Sequence, residues 1–329
     1  MPPEIRTASS VRERETPRER VADWVLIEGD RRVVAGCFLA GIVGVMGTLI
    51  FTGVVAVGPD SSVATVFGSG LVSGIVTLVT VSLSINQLVL SRVFGTVDTL
   101  TERLEGARDL RHSVEDLAGV PTSPNDPAAF LSMVATTLSD RASGLLETSE
   151  SIDWTPPAEF TDSLRDLVEY GRSIDARLET NAEVTEVLGV VLGTEYAVNM
   201  TAVNHLRNKY GEAVPEDALT ELQAIDELLE SIAIVRQFYK TMAIQQDFAT
   251  LSRQIVYSGL IALVSAISLT LVYRTNSVTL PQSMLPIVVT LGIGTVVSPL
   301  TLFVAYILRA ATVARQTVSV GPFIPPKNG

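Results

Sequence analysis

Four uncharged apolar runs, at roughly 33–57, 62–91, 254–273 and 284–308, decide what this chain can fold into. A helix rises about 1.5 Å per residue, so about 20 residues cross a hydrocarbon core about 30 Å thick. Each run is long enough. Inside a bilayer the backbone must satisfy its own polar groups, which leaves the helix as the natural state for each run. Residues 92–253 between the second and third runs are polar and long enough for a domain. The predicted fold class is therefore an all-α integral membrane protein with four transmembrane helices and a cytoplasmic helical bundle inserted between the second and third. The expected boundaries are a cytoplasmic arm with an interfacial segment at 1–32, spans at 33–57, 62–91, 254–273 and 284–308, the cytoplasmic bundle at 92–253, and a cytoplasmic tail at 309–329.

Charge sets the expected orientation. Arg31, Arg32, Arg92, Arg253, Arg309 and Arg315 flank the spans on one side of a four-span layout, and the opposite loops add only Arg274. The positive-inside rule then places both termini and 92–253 in the cytoplasm of a multi-pass cell-membrane protein. The apolar run starts only at Val33, is long, and lacks a small-residue cleavage pattern, so no cleaved signal peptide is expected. Residues 1–20 are rich in Pro, Arg and Glu and are expected to be disordered or frayed. Trp24 marks a short amphipathic piece at the membrane interface, broken by Gly29 and Asp30. The tail at 317–329, with Pro322, Pro325 and Pro326, reads as extended.

The second run has two faces. At about 100° per residue, Ser62, Thr65, Ser69, Ser73, Thr77, Thr80, Ser84, Gln87 and Ser91 fall in one sector about 120° wide. The rest of that helix carries Val, Leu and Ile, with only Ser82 and Asn86 polar. One reading is helix packing, since Ser and Thr can bond back to their own i−4 carbonyl. The other is a pore lining: neutral hydroxyls solvate ions without trapping them, and a homo-oligomer would set one such face per subunit around an axis. On that reading Thr65, Ser69, Ser73, Thr77, Thr80, Ser84 and Gln87 line the pore. Gly36, Ala40 and Gly44 of the first run, continued by Thr48 and Thr52, form a small-residue ridge suited to close helix packing. Gly294 and Ser298 belong to a similar stripe in the fourth run, where Pro299 frees a backbone carbonyl.

The block at 92–253 reads as helices. Asp126 and Pro127 look like an N-cap followed by Pro at the first helical position. Pro156 and Pro157 precede an amphipathic pattern of Phe160, Leu164, Leu167, Val168, Ile174 and Leu178. The apolar stretch 187–192 is too short to span and reads as a core helix. Apolar positions from Leu219 onward run directly into the third span, and the second span is expected to continue past Leu88.

Several chemistries lack residues. Two distant histidines, His112 and His205, have no Cys or His companion at ligand spacing, so no metal site is expected. The lone Cys37 allows no intramolecular disulfide. No phosphate-binding Gly-rich loop ends in Lys and Ser or Thr. The apolar runs carry no ionisable residue at depth, against a proton relay. No enzyme activity and no cofactor is expected. Nucleic acid is not an expected partner, because no basic patch exists outside the arm. The expected partners are the lipid bilayer, other copies of the chain, and inorganic ions.

Net charge is −12 over 329 residues, with lysine only at 209, 240 and 327. Residues 93–252 hold 28 Asp and Glu against 11 Lys and Arg, a net of −17. Together with the LSINQLVLSR exit of the second run, this acidic, Lys-poor composition resembles an uncharacterised family of multi-spanning membrane proteins of haloarchaea. For a halophilic chain, acidity is a solubility device. The layout is similar to that of bestrophin-type channels: two spans, a cytoplasmic helical block, two more spans, and a pore lined by the second. The hydroxyl face of the second run makes the expected function an oligomeric ion channel or channel-like pore lined by the second span and gated through the helical block. The other expected class is a non-conducting membrane-anchored sensor or scaffold whose block binds a partner.

Overall fold

In a computed structural model, the structure describes residues 7–10, 16–93, 97–151, 154–178, 187, 190, 193, 195–274 and 280–315. The described residues are helical, without strands. We number the main helices α1 Pro17–Asp23, α2 Arg31–Phe51, α3 Val63–Ser91, α4 Val97–Ala118, α5 Pro127–Ser151, α6 Ala158–Asp175, α7 Glu195–Tyr210, α8 Glu216–Arg274 and α9 Leu285–Arg315. Four of them, α2, α3, α8 and α9, are long and apolar enough to cross a membrane. The chain divides into a polar unit, 1–22, 96–243 and 312–329, and an apolar unit, 23–95 and 244–311. The expected extended tail at 317–329 lies outside the described residues. So do most of 187–192, of which Val187 and Val190 are described and buried.

In the apolar unit, α2 opens with Asp30 as its N-cap, whose carboxylate accepts the Arg32 N–H at 2.7 Å. It closes sooner than its apolar run. Gly53 adopts φ +78°, a conformation glycine reaches without penalty, and the helix ends at Phe51 rather than at the expected 57. The apolar residues beyond fold back: Val55 N–H donates to Leu49 at 3.0 Å, and Tyr273 Oη donates to the Val57 carbonyl at 2.9 Å. Hydropathy alone cannot mark such an end.

The helices of this unit meet at glycines. A Cβ on Gly47 would lie 3.4 Å from Thr290, and one on Gly294 would lie 3.1 Å from Val43, so α2 packs on α9. Val34, Ala35 and Ala305 continue that contact. A Cβ on Gly292 would collide with Leu269, which joins α9 to α8. Cβ atoms on Gly68 and Gly259 would each fall 2.8 Å from a side-chain methyl, of Thr270 and Val79, which joins α3 to α8. Near Gly68, α3 widens into a π-type turn over Val66–Leu71, a departure from the uniform helix expected there. In α9, Pro299 can donate no N–H to the Thr295 carbonyl. The Ser298 hydroxyl takes that place at 2.9 Å.

In the polar unit, α4 to α7 and the first part of α8 share one apolar core, including Leu131, Leu138, Leu164, Leu167, Leu206, Leu222 and Leu228. Asp126 caps α5 through the Ala129 N–H at 2.8 Å. Gly119, at φ +66°, ends α4, with Val120 N–H reaching back to Glu115 at 3.0 Å and Gly119 N–H to Asp116 at 3.3 Å, the Schellman motif. Helix α8 runs unbroken from Glu216 to Arg274, the direct continuation expected.

Helices α5 and α6 approach closely at Gly171. A Cβ there would stand 2.5 Å from the Ala135 carbonyl oxygen and 3.0 Å from Ser139 Cβ. Backbone cannot yield as a side-chain tip can, so Gly171→Ala is expected to destabilise the chain by about 1–3 kcal/mol. A lowered thermal midpoint in detergent is the readout, and an unchanged one would contradict so tight an approach.

Helices α6 and α7 are clasped by Glu159. It accepts from Lys209 Nζ and from Tyr210 Oη at 2.8 Å, and His205 Nε2 lies 3.2 Å from its other oxygen. The hydrogen bonds from Lys209 and Tyr210 hold the carboxyl below its ordinary value of 4.5. A depressed carboxylate contributes stability above its unfolded pKa and loses it as pH falls through the folded one. Between about pH 5 and about pH 3, then, the thermal midpoint of the parent should fall more steeply than that of Glu159→Gln. Parallel slopes would remove the clasp from the acid response.

Candidate functional site

Helix α3 turns one side to its own unit and the other away. Val63, Phe67, Ile75 and Ser82 are buried. On the opposite side Thr65, Ser69, Ser73, Thr77, Thr80, Ser84 and Gln87 are all exposed, as are Ser62 and Ser91 at the ends. The predicted hydroxyl face is thus one continuous open face of the chain. Its hydroxyls are committed locally. Ser69 donates to Thr65 at 2.6 Å, Thr77 to Ser73 at 2.9 Å, Thr80 to Val76 at 2.9 Å and Ser84 to Thr80 at 3.0 Å. With these four O–H groups turned to the backbone, their oxygen lone pairs are what remain for a neighbour. Such a face tolerates lipid, a second helix, or water and ions.

The ridge of α2 is open as well. Gly36, Ala40, Gly44, Thr48 and Thr52 are exposed, and Cβ atoms on Gly36 or Gly44 would meet nothing within 4 Å. Within the chain, then, the α2 ridge does not cover the α3 stripe. The fourth-run stripe differs: Gly294 is buried against α2, and half-buried Ser298 is tied to its own backbone.

Sequence reasoning missed a buried charge cluster in the apolar unit. Arg31 and Arg309 read as flanking cations, and Asp247 as one acid in an acidic block. Instead Arg31, Arg309 and Asp247 are 3%, 8% and 8% exposed. Arg309 Nη1 lies 3.0 Å from Asp247 Oδ1, and its Nη2 donates to the Gly29 carbonyl at 2.9 Å. Arg31 donates from Nε to the same carbonyl at 2.8 Å and from Nη1 to Val25 at 2.8 Å. Both guanidinium groups therefore converge on the carbonyl end of the segment before α2, and Asp247 anchors one of them. One signal was available: Asp247 is the sole carboxylate across 231–273. Among the described residues, no group of three or more His, Cys, Asp or Glu gathers as a metal site.

Four apolar spanning helices with a large polar helical unit define a membrane-embedded all-helical protein. The chain belongs to the family of unknown function DUF7972, which matches residues 2–328. No curated protein and no solved structure matches it.

Proposed function

We propose that the chain assembles into a homo-oligomeric ion channel or channel-like pore lined by α3. The observation behind this reading is the outward hydroxyl face at Thr65, Ser69, Ser73, Thr77, Thr80, Ser84 and Gln87, exposed along the whole span and set opposite the side that packs on α8. Copies arranged about an axis would bring these faces together, and the open α2 ridge offers a surface for close helix contact between copies. The basic flanks favour a cytoplasmic polar unit and cytoplasmic termini, and from there that unit would gate the pore. Its layout resembles that of bestrophin-type channels, and its acidic, Lys-poor composition resembles that of haloarchaeal membrane proteins. In molar salt the Debye length is about 3 Å, so the acidic polar unit exerts little long-range pull on permeant ions.

The test is inorganic-ion flux into proteoliposomes at high salt, with the mass of the assembly measured alongside. Flux from a symmetric oligomer is expected. A monomer or dimer without flux would replace the pore by the scaffold reading.

A further inference from the structure

Residues 7–10 do not behave as a frayed arm. Ala8 N–H donates to Asn199 Oδ1 at 2.8 Å, and Asn199 Nδ2 donates to the Ala8 carbonyl at 3.1 Å. One carboxamide thus reads both backbone groups of one residue. Beside it, the Thr7 hydroxyl donates to the Asp166 carboxylate. Asn199 lies on α7 and is 0% exposed, while Asp166 lies on α6. All of these residues belong to the polar unit.

We infer that this face of α6 and α7 is a peptide-recognition site, filled in cis by residues 7–10 and open to any extended segment that places a hydroxyl residue before one with a free backbone N–H. The chemistry fixes those requirements. Asn199 reads main chain, so it demands an N–H and a carbonyl on the same residue and ignores its side chain. Asp166, an acceptor when ionised, demands a donor at the preceding position. The inference goes beyond the pore reading and does not depend on conduction.

Docking of this kind is releasable. The segment Thr7, Ala8, Ser9, Ser10 offers no large apolar anchor, and Ser9 and Ser10 are exposed. Three hydrogen bonds, without apolar burial, stand against the ordering entropy of four residues, so the contact is a weak one. Tethering supplies a local concentration in the millimolar range that keeps the site filled. A permanent structural strap would instead bury large side chains.

The experiment uses the full chain in detergent, with Cys37→Ala and Ser10→Cys carrying a nitroxide label. The parent is expected to show a mobility-restricted spectrum. A synthetic peptide of residues 4–13, added to about 10 mM, should displace the arm and raise the mobile-to-restricted ratio about tenfold. The same peptide with Ala8→Pro lacks the N–H that Asn199 Oδ1 accepts and should displace about tenfold less. In the chain itself, Asn199→Asp keeps the size but loses the donor to the Ala8 carbonyl, and should also free the label. The peptide comparison cannot be confused with misfolding of the protein. A label that is mobile from the start overturns the inference. So does failure of the peptide to displace the arm, or equal displacement by the Ala8→Pro peptide.

Discussion

Replacing Arg309 by methionine is expected to lower the stability of the chain by about 3–5 kcal/mol, the cost of leaving a buried charge without its partner. The side chains of Arg309 and Asp247 are 9% and 11% exposed, so water cannot take over the carboxylate. Arg309→Met also removes the donor to the Gly29 carbonyl, which Arg31 alone would then serve. The double variant Arg309→Met with Asp247→Leu should recover most of the loss, because a pair exchanged for apolar side chains of similar volume is often neutral. Thermal unfolding in detergent gives the comparison, with Arg253→Met as the control, since Arg253 is exposed. If Arg309→Met were as mild as Arg253→Met, the buried pair would not hold this unit together.

Thr77→Trp and Ser84→Trp should separate stability from flux. Both positions are exposed in the protomer, and both hydroxyls bond only to their own helix. Substitution there should change protomer stability by no more than about 0.5 kcal/mol. On an axis, however, each subunit would add an indole to the lumen, and flux should fall by more than about tenfold, to the level of empty vesicles. The packing alternative gives another pattern. If a second helix covers the stripe, the same substitutions break the assembly, and its mass falls. Intact assemblies with undiminished flux would defeat the pore reading outright.

The spanning helices were legible because bilayer chemistry leaves little choice: an uncharged run of about 20 residues must close its own hydrogen bonds. Local chemistry was legible too. Asp126 before Pro127 announced the start of α5, and Pro157 before an amphipathic pattern announced α6. What the sequence concealed depends on distant partners. Gly53 looked like one more small residue in an apolar run, yet its positive φ ends α2. Arg31 and Arg309 looked like charges at a membrane edge, and burial came from Asp247, 62 residues from Arg309 along the chain. The hydroxyl stripe of α3 was readable as a face, because periodicity fixes faces. Periodicity does not say which face a neighbour covers, and the open side emerged only once Gly68 and Gly259 fixed the contact with α8. The docked segment at Thr7 and Ala8 left no compositional trace, since Asn199 reads its backbone.

Ser298 carries a consequence for how α9 can bend. At Thr295 the rung of the helix ladder is closed by a side chain instead of main chain. A main-chain rung opens only when dihedrals of the peptide path change. This one is released by a single χ1 rotation of Ser298, with no change in the peptide path. Helix α9 thus passes Pro299 with one acceptor of its ladder held by a side chain, within an otherwise continuous apolar rod.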